Sequence, residues 1–159
     1  MVDLELLERV SLLKGLSRDQ LARIQPLAVL REFQGETVLF SEGEQAELLW
    51  FLISGRVELR FELPLRKSSP AAAVTVIEPG QTVGFSSLVP PHRYTLTGLC
   101  PEEMTVLVEL EGQAFRELMD QDTSMGYIVM STLARVISKR FRAMQDEVVK
   151  REGYELLMS

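Results

Sequence analysis

The sequence predicts a mainly β, α+β chain: an antiparallel barrel or jelly roll flanked by N-terminal helices and closed by a long C-terminal helix. Three observations carry this expectation. Apolar residues recur at helical spacing near the N-terminus, then the period shortens through the middle, then a helical period returns and persists. The middle is cut into short runs by Gly and Pro at closely spaced intervals, as in barrels and jelly rolls.

In the first section Leu4, Leu7 and Val10, then Leu12 and Leu13, step along one helical face, and Gly15 stands where a helix stops. Ser17 followed by Gln20 reads as a capping box, opening a second helix through Leu21 and Ile24 to about Ala28. Pro26 falls late in that pattern and bends or ends it.

The middle section offers the runs Thr37–Phe40, Leu48–Ile53, Val57–Phe61, Ala73–Ile77, Tyr94–Leu99 and Thr105–Leu110 as strands. Gly35, Gly43, Gly55, Pro79-Gly80 and Pro90-Pro91 punctuate them. Leu63–Ala72 reads as a flexible hairpin loop, and Trp50 as a barrel core residue. After Glu111, the residues Ala114, Phe115, Leu118 and Met119 suit a short helix. A longer helix is expected from about Thr123 to Arg151, where Met130, Leu133, Ile137, Phe141, Met144 and Val148 make one apolar stripe. Its second half should extend past the barrel as a dimerisation seam. Lys139, Arg140 and Arg142, answered by Asp146 and Glu147, read as a solvated face.

A chain of 159 residues, 46% hydrophobic and 25% charged, suits one domain with a real core. The expected layout is helices over 1–28, a barrel over 29–110 and helices over 111–151. The lone Cys100 excludes an intramolecular disulfide framework and fits a reducing cytoplasm. MVDLELLERV lacks the basic start and apolar core of a signal peptide, and no apolar run is long enough to span a bilayer, so a cytoplasmic protein without membrane partners is expected. A net charge of −6 argues against a nucleic-acid face, which needs a basic stripe. One small anion remains possible, because its binding depends on local charge. A single His and a single Cys cannot make a metal cluster of the cupin kind, and neither a Ser-His-Asp arrangement nor a Gly-Lys-Ser/Thr loop is evident. No enzyme, no metal and no cofactor are expected.

Val83–Thr97, VGFSSLVPPHRYTLT, holds the candidate site. Gly84 permits close backbone approach, and Ser86 and Ser87 offer hydroxyls at the start of a short helical turn. His92 and Arg93 are adjacent cations, and Arg93 carries a fork suited to phosphate. Tyr94 either stacks on a base or joins the core. Thr95 and Thr97 lie on the opposite parity, so that face lines a pocket or meets water.

Taken in order, four motifs resemble the cyclic-nucleotide-binding domain of catabolite-activator-type regulators, protein kinase A regulatory subunits and cyclic-nucleotide-gated channels. They are Gly35-Glu36-Thr-Val-Leu-Phe-Ser-Glu42-Gly43, Leu49-Trp-Phe-Leu-Ile-Ser-Gly55-Arg-Val57, Pro79-Gly80-Gln-Thr-Val83-Gly84 and Ala114-Phe-Arg-Glu-Leu118. The resemblance spans roughly residues 5–150 and implies a jelly roll of the double-stranded β-helix type. It implies a sensory domain that takes a small anion, most simply cAMP or cGMP, and signals through the C-terminal helix by altering a homodimer or a contact with another protein partner. By the same resemblance the ligand residues are Gly84, Phe85, Ser86, Ser87, His92, Arg93, Tyr94 and Thr95.

The chain departs from the family where binding members carry a Glu that accepts from the ribose 2′-hydroxyl: here stands Phe85. The family's phosphate-pairing Arg falls on His92 or on Arg93, depending on how the Pro90-Pro91 turn is counted, with Arg93 favoured. Family transcription factors carry a winged helix-turn-helix after the long helix; only Gly153–Ser159 follow the expected helix end, so no DNA reading is expected. The alternative is a fold that binds no nucleotide and serves as a dimerisation or docking module, favoured by Phe85.

Overall fold

Ser17 and Gln20 form the expected capping box: the Ser17 hydroxyl accepts from the Gln20 amide at 3.2 Å, and the Gln20 side chain accepts from the Ser17 amide at 2.9 Å. The computed structural model describes residues 1–61, 73–101 and 103–158, so the expected loop Leu63–Ala72 lies outside the described residues. The box opens α2 (Arg18–Ile24), which gives way to a 3-10 turn at Gln25–Leu27 where Pro26 removes a donor. The first apolar stripe divides likewise. Helix α1 covers only Leu4–Glu8, Val10 is extended, and Ser11–Leu13 make a separate 3-10 turn.

The strands β1 (Val29–Phe33), β2 (Thr37–Phe40), β3 (Leu48–Ser54), β4 (Val57–Arg60), β5 (Ala73–Ile77), β6 (Thr82–Val83), β7 (Thr97–Cys100) and β8 (Thr105–Glu111) build two four-stranded sheets. Their orders are β1-β8-β3-β6 and β2-β7-β4-β5, with every pairing antiparallel. This is the jelly roll expected from the turn punctuation. Two strands had no legible signal. In β1 every residue but Phe33 is exposed, so no period-2 alternation marks it, and β6 is too short to show a period. The expected strand Tyr94–Leu99 is displaced: the ladder begins at Thr97, after a bend at residues 95–96.

Strand parity divides the interior. Trp50, Leu52, Val83 and Leu107 point between the sheets with Phe40, Val57, Leu59, Ile77, Tyr94 and Cys100. Their neighbours Leu49, Phe51, Val108 and Leu110 point outward into a second core made with the helices. Phe51 and Phe115 are fully buried there, each contributing about 1.5–3 kcal/mol by transfer from water. Trp50 is core as expected, and its indole N–H donates to Glu109 at 2.9 Å.

Helix α3 (Gly112–Gln121) packs Phe115 and Met119 into the outer core, and Asp122 then starts α4 (Thr123–Met158). Helix α4 runs beyond the expected end near Arg151, since Glu155, Leu156, Leu157 and Met158 are all good helix formers. The expected single stripe along it separates into two. Met125, Val129 and Leu133 are buried against the core, so Leu133 belongs to the inward face. Tyr127, Met130, Ala134, Ile137, Phe141, Met144 and Val148 form an exposed seam with alternating steps of three and four. None of the described helices is long and apolar enough to cross a membrane.

Candidate functional site

Strand β6 ends at Gly84, whose φ of 79° and ψ of 26° are left-handed and suit a residue without a Cβ. The reversal starts a single 3-10 turn, Phe85–Leu88. Within it the Ser87 amide and hydroxyl both donate to the Gly84 carbonyl, at 3.2 Å and 3.0 Å. Ser87 is fully buried because the start of α3 packs directly on it: a Cβ on Gly112 would lie 2.6 Å from the Ser87 Cβ. The Ser87 hydroxyl is therefore spent on the turn itself. Ser86 is half-buried, and its carbonyl accepts from the Val89 amide at 3.2 Å.

The segment after the turn is folded back on it. The Pro90-Pro91 bond is cis, and His92 takes a positive φ of 57°. The His92 amide donates to the Val89 carbonyl at 2.9 Å, while its carbonyl accepts from Ala46 at 2.7 Å. His92 is half-buried, with Nε2 buried and without a hydrogen-bond partner among the described residues. Arg93 is exposed; it forms a β-bridge with Gln45, and its guanidinium donates to the Gly43 carbonyl at 3.0 Å. Of the two adjacent basic side chains, the structure thus turns His92 partly inward and Arg93 outward.

Tyr94 lies in the core between the sheets. Its ring stacks on Phe40 with centroids 4.2 Å apart and tilts against Trp50 at 6.5 Å. Its hydroxyl donates to the Leu48 carbonyl at 2.7 Å and accepts from the Leu48 amide at 3.2 Å. Burial pushes the phenol pKa above its ordinary value, with the hydrogen bond to Leu48 opposing that shift. Thr95 is exposed, whereas Thr97 is buried and accepts from the Glu42 amide at 3.0 Å. The polar parity anticipated for Thr95 and Thr97 is broken by the bend between them, so the two do not share one environment.

The expectation that Arg140 lies on a solvated face is overturned. Its guanidinium carbon sits 5.2 Å from the centroid of the Phe85 ring, and Nη2 donates to the Thr82 carbonyl at 3.3 Å. Burial lowers its pKa from the ordinary arginine value. The signal was present in the sequence as a spacing. Arg140 follows Leu133 by two helical turns and so shares the inward face of α4. Lys139 and Arg142 do face solvent. Phe85 itself is half-buried, packed against the outer core with its ring under Arg140.

The predicted site residues therefore fall into three groups. Gly84, Phe85, Ser86 and Ser87 make one turn, and His92 is tied to that turn through Val89. Arg93 and Thr95 stand at the surface. Tyr94 belongs to the interior beneath them. Arg140 is the neighbour that sequence reasoning missed.

Comparison with known proteins bears on this arrangement. A family model described as the cyclic nucleotide-binding domain matches residues 30–122, which include the whole turn and the segment after it. The Pycsar effector protein XpPycTIR of Xanthomonas perforans is 26% identical over 125 residues, 78% of this chain; the chain spans 39% of that relative's length. Among solved structures, a protein from Geobacter metallireducens GS-15 assigned to cyclic-nucleotide binding superposes with a TM-score of 0.75 at 26% identity, covering 89% of this chain and 99% of that one. A cyclic nucleotide-binding domain from Methylobacillus flagellatus has the same fold, with a TM-score of 0.76 at 17% identity over 93% of this chain and 81% of its own.

Proposed function

Because the chain belongs to the cyclic nucleotide-binding domain family, a regulatory family, we propose that it takes a cyclic mononucleotide, cAMP or cGMP, at the Gly84–Leu88 turn and relays that event through helix α4. The observation that carries the reading is the turn itself. A left-handed Gly84 starts a helical turn at the end of a barrel strand, within the matched residues. The His92 Nε2, buried without a partner among the described residues, adds a polar group awaiting a ligand atom. No carboxylate stands at position 85, so the ribose 2′-hydroxyl has no acceptor there.

Signalling on this reading requires different ligand affinities in two states of α4. The exposed seam from Tyr127 to Val148 has the alternating three-and-four spacing of a two-stranded coiled coil, which supports a homodimer through α4. The likeness to an effector protein supports a role in signal transduction, and the lone buried thiol of Cys100 suits a cytoplasmic setting.

Calorimetric titration with cAMP, cGMP, their 2′-deoxy forms and cyclic dinucleotides tests this. Saturable heat from a cyclic mononucleotide, reduced in His92→Ala or Arg93→Ala, is expected. The 2′-deoxy ligand should bind within a few-fold of the ribo form, because a carboxylate-to-hydroxyl bond is worth roughly tenfold or more where it exists. No heat from any nucleotide, in a folded protein, overturns the reading in favour of a docking module.

A further inference from the structure

Arg140 is a half-buried cation with an incomplete set of partners. A guanidinium carries five N–H donors, and the only hydrogen bond Arg140 makes among the described residues is the 3.3 Å contact to the neutral Thr82 carbonyl. No Asp or Glu lies within ion-pair distance of it among the described residues. Removing a cation from water without a counter-charge is unfavourable. Thr82, whose carbonyl Arg140 holds, is 7% exposed, and its own hydroxyl is buried without a partner among the described residues. The Phe85 ring positions the guanidinium over the turn, a contact that favours arginine over lysine for its planar stacking.

We propose that Arg140 is a ligand-binding residue supplied by helix α4: it presents an unneutralised guanidinium at the Gly84–Leu88 turn to receive the anionic group of the ligand, and Phe85 is the platform that holds it there. The inference rests on the reading above for the class of ligand. It gives Phe85 a role of its own, since an aromatic ring in the place of a carboxylate carries a cation without neutralising it. It also joins the site to the proposed seam, because Arg140 adjoins Phe141 on α4. An anion drawing on Arg140 pulls directly on the helix whose outer face bears that seam.

The test uses the full chain and reads binding and the arginine side chain separately. Affinities for cAMP and cGMP are measured for the native protein and for Arg140→Gln, Arg140→Lys and Phe85→Leu. In parallel, inorganic phosphate and pyrophosphate are titrated while the Arg140 Nε–Hε resonance is followed by NMR. Loss of a charge-assisted pair predicts about a 10- to 100-fold weaker nucleotide affinity in Arg140→Gln. Arg140→Lys should be less affected, and Phe85→Leu should weaken binding by several-fold. The Arg140 resonance should shift saturably with either anion. Chemical denaturation of each variant is run alongside, so that affinities are compared only between folded proteins and a binding defect is separated from a folding one. Nucleotide binding that Arg140→Gln leaves unchanged overturns the proposal and leaves the cyclic-nucleotide reading intact. A saturable Arg140 shift with phosphate or pyrophosphate, but no nucleotide binding, upholds the cation's role and removes the cyclic-nucleotide reading. A silent resonance together with no nucleotide binding overturns both.

Discussion

Gly84 is pressed against Trp50: a Cβ built on Gly84 would lie 3.1 Å from two carbons of the indole and 3.0 Å from the Leu48 carbonyl oxygen. The glycine of the candidate site is thus required by the barrel's own core as well as by its left-handed backbone. Whatever ligand the turn accepts, its shape is set first by packing. Gly84→Ala should destabilise the fold by about 1–3 kcal/mol, because strained φ and the close approach to the indole act together. Chemical denaturation checks this, and an alanine variant as stable as the native chain would show that the turn relaxes freely.

Asp122 starts helix α4 and ties it to α2. Its Oδ1 accepts from the Met125 amide at 3.1 Å, while Oδ2 accepts from Gln20 at 3.2 Å and meets Arg23 at 3.1 Å. These contacts, the Met125 amide foremost and then Gln20, hold the carboxyl below its ordinary pKa. A lowered folded-state pKa means stability that is present above the unfolded value and lost as pH falls through the folded value. Asp122→Ala should therefore lower the unfolding midpoint at neutral pH, and its deficit should shrink in acid below the ordinary carboxylate range. A deficit that stays constant down to low pH would show that the charge of Asp122 contributes nothing.

The outer seam of α4 makes a separate prediction. Ile137 and Phe141 are 38% and 59% exposed, which is costly for apolar side chains unless a partner covers them. On the proposed pairing through α4, replacing both with Glu should leave a monomer, seen by light scattering, with little effect on the unfolding of the barrel. A native chain that is already monomeric at high concentration would remove the seam from the mechanism.

Much of the architecture is legible in the sequence. The capping box needs only Ser17 and Gln20 at the right spacing, since its bonds are local. The strands Thr37–Phe40 and Ala73–Ile77 stand where their apolar runs and flanking turns put them. The two-residue β6 and the exposed β1 were not legible, because each is held by its partner strand and not by its own period. The displaced start of β7 has the same cause. The Arg93–Gln45 bridge and the anchoring of Tyr94 on Leu48 set where the ladder begins, and both involve distant chain.

For the candidate site, local chemistry in Val83–Thr97 was enough to place a glycine-initiated turn beside His92 and Arg93. Which side chains face which neighbour was a tertiary matter. Ser87 turned inward onto Gly84 because α3 packs on it, Arg93 turned out to Gly43, and Tyr94 sank onto Phe40. Arg140 is the clearest case. Its sequence neighbours Lys139 and Arg142 are solvated as their charge pattern implies, yet one position decides its contacts by where it falls around the helix. Periodicity and turn chemistry act over a few residues, so they are written in the chain. The meeting of Phe85 with Arg140 depends on how a helix docks across a sheet, and only the packed core sets that.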